Sequence, residues 1–519
     1  MILLKNMLKN RALRASTLLL VSLGALHQAL RAEVIPNGLF CDNAVLQQGK
    51  QVPVWGAARD GEKVTVTFSG QRVSTIAKEG RWMVSLAPMT ASAVPATMTI
   101  EGETNRVIMT NVLVGEVWVC GGQSNMERQL GPRAGQKPLV DWEREAAAAN
   151  YPEIRHFGVK KETSTNPLAQ VIGSWVVCSP QTVTNFTAVG YFFGRDLHLD
   201  LKVPIGLIHS SWGGTPAESW TRHDVLASNS VLTPILEKYS NALATYPERL
   251  AKYQAGEPAL RQAYESAVAT ARAEGKPLPP APKAPPQPSL DPHSPSLLYN
   301  GMINPLLPYA IRGAIWYQGE SNRENPGIYP PLITAMINDW RAQWMQGDFP
   351  FLFVQVAPYY QMPPEIREAQ RISLGTTTNT AMVVTTDCGD ARDIHPSRKQ
   401  PVGDRLALAA RALAYGQGVE YSGPLFREVT FEGPLAKLSF THTGMGLTSM
   451  DQPLKGFTIA GADKVFVPAQ ADIVGNSVIV SSPRVPAPVA VRYGWENVPD
   501  CNLFNLAGLP ASPFRTDRE

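Results

Sequence analysis

The side chains with the greatest potential for chemistry fall in four short polar clusters. They read GGQSNM (121–126), HSSWGGTPAESW (209–220), YQGESN (317–322) and DCGDARDIHPSRK (387–399). Together they supply a serine, a histidine, carboxylates, paired glycines and side-chain amides. Acyl transfer needs a nucleophile, a base, a group that orients the base, and donors that stabilise an oxyanion. The four clusters offer a candidate for each of these roles.

Ser124 is the candidate nucleophile. The two glycines before it permit a sharp turn from a strand into a helix, and such a turn presents the serine hydroxyl. The N–H of Ser124, at the start of that helix, faces the same point and is a candidate oxyanion donor. The alternative is a serine that only caps the helix.

His395 is the candidate base, in the run Asp-Ile-His-Pro. Asp393, two residues earlier, can hold the tautomer of the imidazole and stabilise its cation. The proline that follows stiffens the loop. The alternative is a surface ion pair between these two residues. Three other carboxylates are rival partners for the imidazole: Asp387, Asp390 and Glu320.

Two groups of residues are further candidate oxyanion donors. Gly213 and Gly214 offer backbone N–H groups close to a ligand because no Cβ obstructs the approach, although they also fit a plain turn. Gln318 and Asn322 offer side-chain amides. The N–H of Ser124, one N–H of the glycine pair and one of the two amides would make a three-donor oxyanion hole, in which each donor is typically worth on the order of 10² to 10³ in rate.

The elements that must position these clusters alternate between strands and helices. Candidate buried strands read VLVGEVWVC (112–120), IGLIHS (205–210), GAIWYQ (313–318), FPFLFVQV (349–356) and AMVVTTD (381–387). Candidate helices read TAVGYFFGRDLHLDL (187–201), PPLITAMINDWRAQW (330–344) and DRLALAARALAYG (404–416). This alternation predicts an α/β fold with a parallel sheet covered on both faces. Active sites of such sheets lie at the carboxyl ends of the strands, where the clusters fall.

Regions rich in β-strand signals flank this core. Alternating runs such as KVTVTF (63–68) and RWMVSL (81–86) predict an N-terminal β domain over 33–110. A hydrolase core over 111–416 and a C-terminal β domain over 417–519 follow. Residues 236–295 interrupt the core with the polar, Ala-rich helix PALRQAYESAVATARAEGK, followed by a stiff proline-rich spacer. This insertion is either a cover for a substrate cleft or a solvated excursion.

Composition excludes several classes of protein. The chain has 519 residues, and a chain of this length usually divides into several domains, each with its own hydrophobic core. Its 44% hydrophobic and 18% charged residues are typical of a globular protein. A net charge of +3 gives no indication of a nucleic-acid or strongly acidic partner. The five cysteines are widely separated and form no C-x-x-C pair, so a metal ribbon is not expected and we assign no disulfide.

The N-terminus has the pattern of a secretory signal peptide. A basic region is followed by a short apolar stretch over 16–26, and Ala29 and Ala32 offer small residues for cleavage. We therefore predict a signal peptide over 1–32 and a secreted or periplasmic protein with no other membrane contact. The alternative is a single membrane anchor, although the apolar stretch is too short to span a bilayer comfortably.

The motifs GQSNM, WGGT, WYQGESN and DIHP, in that order, resemble the sialate O-acetylesterase family. This family belongs to the SGNH (GDSL-like) hydrolases, which include carbohydrate acetylesterases. The blocks DNAVLQQGKQVPVWGAARDGEKVTV, LYNGMINPLLPYAIRGAIWYQGESN and IHPSRKQPVGDRLALAAR are also similar, so the resemblance covers nearly the whole mature chain. It implies an SGNH-type three-layer parallel-sheet core flanked by β-sandwich-like domains, with neither a metal nor a cofactor.

The resemblance also implies site residues. Ser124 would be the nucleophile, His395 the base, and Gly213 or Gly214 plus an amide of WYQGESN the oxyanion donors. SGNH enzymes in general place the aspartate three residues before the histidine, where this chain has Arg392, so the role of Asp393 is open. Their Gly-x-Asn-Asp block becomes Gly-Glu-Ser-Asn here, which leaves two amides competing for one role. The candidate supporting residues are Gln123 and Glu320.

The prediction is thus a secreted serine esterase that removes O-acetyl groups from a sugar or glycan. Acetylated xylan or pectin is an alternative substrate, and a non-catalytic carbohydrate-binding protein is the alternative of another class. A glycoside hydrolase is less favoured because Glu320 has no partner carboxylate in a matching context. Three aromatic residues either stack on sugar faces or belong to the core: Trp212, Trp220 and Trp316. The sequence gives no indication of the oligomeric state.

Overall fold

The computed structural model of the chain describes residues 33–517, so the predicted signal peptide lies outside the described residues. The strands that precede the central sheet are β1 (Ile35–Pro36), β2 (Val45–Gln47), β3 (Val52–Ala57), β4 (Lys63–Phe68), β5 (Gln71–Ile76), β6 (Arg81–Leu86) and β7 (Ser92–Glu101). β1, β3 and β6 form one antiparallel sheet, and β4 pairs with β5 and β7. The strands predicted over KVTVTF and RWMVSL are confirmed as β4 and β6.

β8 (Arg106–Gly122) is a 17-residue strand that connects this region to the central sheet. Its first half pairs with β7, and Leu113–Gly115 pair with β2. Its second half lies in the middle of the central sheet. The chain therefore crosses residue 110 within one continuous strand, without an intervening loop.

The central sheet is built from β8 together with β9 (Ile154–Gly158), β10 (Trp175–Val177), β11 (Ile205–Ser211), β12 (Gly313–Tyr317), β13 (Phe351–Val354) and β14 (Thr380–Val383). The strand order is β10-β9-β11-β8-β12-β13-β14, and every pair from β9 to β14 is parallel. The chain leaves β8 to build one side of the sheet and then crosses to build the other. The carboxyl end of β8 is thus a topological switch point, where ligands of open α/β sheets bind.

The helices are α1 (Ser124–Glu127), α2 (Trp142–Ala148), α3 (Ala188–Leu201), α4 (His223–Ala227), α5 (Thr233–Ala273), α6 (Tyr329–Trp344), α7 (Pro364–Ser373) and α8 (Gln400–Leu413). Short 3₁₀ turns lie at Val183–Asn185, Ala217–Trp220, Asn304–Leu306, Glu320–Asn322 and Pro326–Ile328, and a π turn lies at Tyr299–Ile303. α3, α6 and α8 confirm the predicted helices. α8 begins at Gln400 rather than at Asp404, because proline is tolerated in the first turn of a helix and Pro401 lies there.

Alternate residues of the central strands enter two different apolar cores. Val117 and Val119 of β8 belong to the core that contains Met336 and Trp340 of α6. Trp118 and Cys120 belong to the other core, with Phe193 of α3 and Leu406 of α8. Successive side chains of a strand point to opposite faces, so helices cover both faces of the sheet, as predicted.

The insertion contains a long exposed helix. α5 has 41 residues and continues through Pro247 and Pro258, although the sequence predicted a helix that starts only at Pro258. Each proline frees a carbonyl four residues earlier, and Leu243 and Gln254 are exposed, so water can replace the lost bonds. In the spacer that follows, Pro279, Pro282, Pro285 and Pro288 are shielded while the residues between them are exposed. This period of three matches a polyproline II helix.

The C-terminal region is built from antiparallel strands around a third apolar core. Its strands are β15 (Leu425–Glu432), β16 (Leu435–Thr441), β17 (Leu447–Thr448), β18 (Phe457–Ala460), β19 (Val467–Pro468), β20 (Gln470–Val474), β21 (Ser477–Ser481), β22 (Ala490–Tyr493), β23 (Phe504–Asn505) and β24 (Phe514–Arg515). They form the sheets β15-β16-β21-β20, β19-β18-β22-β24 and β17-β23. Between residues 33 and 517, no helix combines the length and apolar character needed to cross a membrane.

Candidate active site

The chain turns sharply between β8 and α1. Gly122, the last residue of β8, has a φ of +132°, and a Cβ at this position would lie 2.2 Å from the carbonyl oxygen of Tyr317. Glycine alone fits both the angle and the approach. The N–H of Gln123 donates to the same carbonyl at 2.9 Å, and α1 then begins at Ser124. The turn predicted from the two glycines therefore carries Ser124 to the switch point of the sheet.

Ser124 lies against the Trp-Gly-Gly turn that follows β11. A Cβ built on Gly213 would lie only 3.2 Å from the Cβ of Ser124, so this contact depends on the missing side chain. Ser124 is half-buried. Neither its Oγ nor its N–H makes a hydrogen bond to any residue that the structure describes. Both groups are therefore available to a ligand.

Asn125 joins the loop that carries the serine to the loop that carries the histidine. Its buried Nδ2 donates to the carbonyl of Ile394 at 3.0 Å and to Oε1 of Glu320 at 2.5 Å. The ammonium of Lys399 donates to Asn125 Oδ1 at 2.5 Å. The residue after Ser124 is thus bonded to the residue before His395, 269 positions along the chain.

The imidazole of His395 lies beside Asp393. His395 Nδ1 is 3.7 Å from Asp393 Oδ1, which is longer than a hydrogen bond, while the backbone N–H of His395 donates to that oxygen at 2.8 Å. Within residues 33–517, Asp393 is the one carboxylate within 4.0 Å of this ring. No hydrogen bond joins the ring to Ser124 in the same range, and catalytic hydrogen bonds are often long in the absence of substrate.

The rival carboxylates have other partners. Asp387 pairs with Arg405 at 2.6 Å, and Asp390 pairs with Lys137 at 2.5 Å. Glu320 accepts from Asn125, and its Oε2 is buried without a described hydrogen-bond partner. Burial raises the pKa of Glu320. Of the candidates proposed from the sequence, Asp393 therefore lies best to interact with His395.

The surroundings of His395 favour the neutral imidazole. Burial lowers its pKa below the ordinary value, and the positive charge of Lys399 lowers it further. Asp393 opposes these effects, whereas Arg133 and Arg128 add to them. A neutral imidazole at neutral pH can accept a proton, as a general base must.

The N–H of Gly213 is already occupied in this structure. It donates to Glu127 Oε2 at 2.5 Å, and Glu127 also pairs with Arg133 at 2.7 Å and with Lys161 at 3.0 Å. Burial acts to raise the pKa of Glu127, but these partners outweigh it and lower the pKa. The N–H of Gly214, which has a φ of +81°, donates to no atom of a described residue.

The amides of Gln318 and Asn322 are engaged inside the fold. Gln318 is fully buried, and its Nε2 donates to Asn322 Oδ1 at 2.6 Å and to the carbonyl of Thr215 at 3.4 Å. Asn322 Nδ2 donates to Glu218 Oε2 at 2.9 Å. These amides hold the loops after β11 and β12 together: both hydrogens of Gln318 Nε2 and one hydrogen of Asn322 Nδ2 are engaged.

Gln123 is the remaining amide at the site. Its Oε1 accepts a hydrogen bond from the N–H of Ser321 at 3.2 Å. Its Nε2 donates to no atom of a described residue. The sequence singled out Gln123 only as a supporting residue, yet it lies next to Ser124 with a free donor.

A second serine–histidine pair lies near the end of β11. His209 Nε2 and Ser211 Oγ are 2.5 Å apart. Ser211 is only 4% exposed, and burial lowers the pKa of His209 to about 4. A serine so deeply buried is inaccessible to a large substrate, so Ser124 remains the better candidate nucleophile. Both residues lie in the polar cluster HSSWGGTPAESW, but no sequence motif predicted that they would pair.

The three tryptophans proposed to contact sugar differ in exposure. Trp220 and Trp316 are fully buried and belong to an apolar core. Trp212 is half-buried, and the ammonium of Lys161 lies 5.3 Å from the centre of its ring. Of the three, Trp212 alone can contact a ligand.

The arrangement suits acyl transfer. Ser124 offers a hydroxyl, His395 offers an imidazole whose pKa is lowered on a loop bonded to the serine loop, and the N–H groups of Ser124 and Gly214 have no described acceptor. Between residues 33 and 517, no group of three or more histidine, cysteine, aspartate or glutamate side chains is arranged to hold a metal ion.

Comparisons with known proteins agree with this chemistry. A family model described as carbohydrate esterase, sialic acid-specific acetylesterase, matches residues 293–412. Sialate O-acetylesterase from Rattus norvegicus is 32% identical over 541 residues, covering 92% of this chain and 93% of the rat protein. The protein of that name from Homo sapiens is 30% identical over 524 residues, covering 89% of this chain and 88% of the human protein.

A solved structure gives the same result. The crystal structure of a carbohydrate acetylesterase from Xanthomonas citri matches with a TM-score of 0.78 and 36% identity, covering 94% of this chain and 100% of that chain. The resemblance found in the sequence motifs is therefore confirmed. This chain belongs to the sialate O-acetylesterase family.

Proposed function

We propose that this protein is a carboxylic ester hydrolase that removes O-acetyl groups from sugars, with Ser124 as nucleophile and His395 as general base. Its relatives are sialate O-acetylesterases and a carbohydrate acetylesterase, which supports the reaction. One observation carries the residue assignment. Asn125 bonds to the carbonyl of Ile394, which holds the loops of Ser124 and His395 side by side.

The reaction proceeds through an acyl-enzyme. His395 accepts the proton of the Ser124 hydroxyl as Oγ attacks the acetyl carbonyl carbon. The tetrahedral intermediate collapses, and His395 gives the proton to the sugar oxygen as the alcohol leaves. A water molecule, deprotonated by the same imidazole, then attacks the acetyl-enzyme and releases acetate, and Ser124 regains its proton.

The free donors favour one composition for the oxyanion hole. The N–H groups of Ser124 and Gly214 and the amide of Gln123 have no described acceptor. The N–H of Gly213 and both hydrogens of the Gln318 amide are used within the fold, and the Asn322 amide is held by Glu218. We therefore assign the first three groups to the oxyanion and give Gln318 and Asn322 the role of positioning the loops.

Asp393 stabilises the imidazolium that forms during the reaction. At 3.7 Å from Nδ1 it makes an electrostatic contribution, and its Oδ1 already accepts a backbone N–H. Lys399 and Asn125 fix the loop independently of this carboxylate. The orienting role is thus shared between Asp393 and the backbone.

The finer architecture is part of the same proposal. An SGNH-type three-layer core spans 111–416 with the insertion 236–295, and β-sandwich-like domains span 33–110 and 417–519. The separate apolar core of the C-terminal strands supports the boundary near 417, whereas the boundary near 110 rests on the sequence pattern, because β8 runs through it. Residues 1–32 act as a signal peptide for a secreted or periplasmic enzyme.

Acetate release from a panel of acetylated glycans tests the proposed activity. The panel contains O-acetylated N-acetylneuraminic acid, acetylated xylan and acetylated pectin, with p-nitrophenyl acetate as a sugar-free ester. We expect the wild-type enzyme to release acetate and S124A to fall to background. S228A, at an exposed serine after α4, is the matched control and keeps full activity. No release from any ester by the wild-type enzyme would indicate a binding protein.

A further inference from the structure

A second Asp-x-His turn lies at the C-terminal end of the insertion, just before the chain re-enters the core. In Asp291-Pro292-His293, the N–H of Ser294 donates to the carbonyl of Asp291 at 2.9 Å, which closes a tight turn with proline at its second position. The N–H of His293 donates to Asp291 Oδ1 at 3.0 Å. The local backbone of this histidine is therefore fixed.

The imidazole of His293 is held in one orientation. Its Nδ1 lies 2.7 Å from Asp291 Oδ1. A carboxylate only accepts hydrogen bonds, so Nδ1 carries the proton and a neutral ring presents the lone pair of Nε2. Nε2 has no hydrogen-bond partner among the described residues, and the side chain is 55% exposed.

This imidazole faces the glycine pair that also contacts the nucleophile. A Cβ built on Gly214 would lie 3.4 Å from His293 Nε2, and one built on Gly213 would lie 3.2 Å from Ser124 Cβ. Two consecutive glycines thus separate the serine from His293. Gly214 is exposed, so the space beside His293 is open to solvent and to the part of a substrate that extends beyond Ser124.

The turn is anchored on both sides. The carbonyl of Leu290, before it, accepts from Thr163 Oγ1 at 3.3 Å. The N–H of Ser296, after it, donates to the carbonyl of Glu218 at 3.0 Å. Glu218 lies in the loop after β11, the loop that contains the glycine pair. The insertion therefore returns to the site at a fixed place.

We propose that His293, oriented by Asp291, is a sugar-recognition residue whose Nε2 accepts a hydrogen bond from a hydroxyl of the sugar that carries the acetyl ester. This proposal rests on the proposed role of Ser124. The acetyl group is small and lies at the serine, so the sugar occupies the open side of the glycine pair. Proton transfer belongs to His395, which leaves the exposed imidazole for binding.

The test compares sugar esters with an ester that has no sugar. H293A, D291A and the wild type are assayed with O-acetylated N-acetylneuraminic acid and with an acetylated xylo-oligosaccharide, and p-nitrophenyl acetate is the sugar-free ester. We expect H293A to raise KM about tenfold on the sugar ester that the wild type hydrolyses faster, with kcat nearly unchanged. That factor corresponds to one lost hydrogen bond of about 1.4 kcal/mol. On p-nitrophenyl acetate, we expect the kcat/KM of H293A to stay within about twofold of the wild-type value.

Two further variants make the outcome decisive. H293Q places an amide oxygen near the position of Nε2 and is expected to restore part of the affinity for the sugar ester. H223A, at an exposed histidine of α4, is the matched control, and we expect it to change the kinetic constants on neither the sugar ester nor p-nitrophenyl acetate. An equal loss on both esters, or no change in KM on the sugar ester, would overturn the proposal. Residual activity of S124A in the same assay would instead overturn the proposed function, so the two failures are distinguishable.

Discussion

The two Asp-x-His turns near Ser124 share a backbone design but differ in their surroundings. In both, the aspartate Oδ1 accepts the backbone N–H of the histidine, at 2.8 Å for His395 and 3.0 Å for His293. The side chain of His395 is 22% exposed and that of His293 is 55% exposed. The ring-to-carboxylate distances are 3.7 Å and 2.7 Å, respectively.

These differences indicate two different roles for one motif. His395 is desolvated, lies near Lys399, and belongs to a loop that is bonded to the serine loop. These surroundings favour the neutral imidazole, which suits the proposed role of general base. His293 is exposed and held by a carboxylate, which suits a fixed hydrogen-bond partner for a ligand. Burial and neighbouring charges, rather than the Asp-x-His spacing, determine the role.

The largest effect that tests this comparison is expected from H395A. Loss of the base should reduce kcat on the order of 10⁴- to 10⁶-fold, and the S124A/H395A double variant should be no worse, because members of such a unit act together. The measurement is kcat with p-nitrophenyl acetate, where H293A should stay near the wild type. If H293A lost as much as H395A on this sugar-free ester, His293 would take part in the reaction itself and the distinction between the two histidines would fail.

A smaller loss is expected from D393N. Asp393 lies beyond hydrogen-bond distance of the ring, and other contacts hold the loop, so we expect kcat to fall about 10- to 100-fold. A buried aspartate bonded directly to the base typically costs about 10⁴ when it is replaced by asparagine. The assay is the same, with D390N, whose carboxylate pairs with Lys137, as the matched control. A loss equal to that of H395A would make Asp393 the sole orienting group.

K399M should change the pH profile more than the maximal rate. The acid limb of kcat/KM reports the ionisation of the base in the free enzyme. The pKa of His395 is lowered, so the wild-type limb should lie below the ordinary histidine value of about 6.5. Removal of the Lys399 charge removes one cause of this lowering, so the limb should move to higher pH, and activity at low pH should fall relative to activity at pH 8.

Controls separate this pH effect from damage to the loop. Lys399 also donates to Asn125 Oδ1, so thermal unfolding of K399M is compared with that of the wild type, and K283M, in the exposed spacer, serves as the matched variant. An acid limb that moves to lower pH, or does not move in a folded K399M protein, would contradict the assigned surroundings of His395.

Local chemistry made much of the fold predictable. The glycines before Ser124 predicted the turn at the end of β8, apolar runs predicted β11 and β12, and apolar residues on one helical face predicted α6. Such patterns depend on neighbours in the sequence. The path of α5 through two prolines was not predicted, because it depends on exposed carbonyls that water can satisfy.

The sequence did not predict which candidate oxyanion donors would already be engaged in hydrogen bonds within the fold. Glu127 occupies the N–H of Gly213 because α1 and the turn after β11 meet in three dimensions. Gln318 donates to Asn322 Oδ1 and to the carbonyl of Thr215, and Asn322 Nδ2 donates to Glu218, so tertiary contacts draw both amides into the fold. His293 lies in a segment interpreted as an insertion, where the sequence gives no sign that the chain returns to the serine.

Covalent labelling by a fluorophosphonate tests the central claim most directly, because it reports the nucleophile and its activation together. We predict a single adduct on Ser124 by mass spectrometry in the wild type and in H293A at similar rates, no adduct in S124A, and labelling slowed at least about 100-fold in H395A. An adduct on another serine, or labelling of Ser124 that persists at the wild-type rate in H395A, would contradict the pairing of Ser124 with His395.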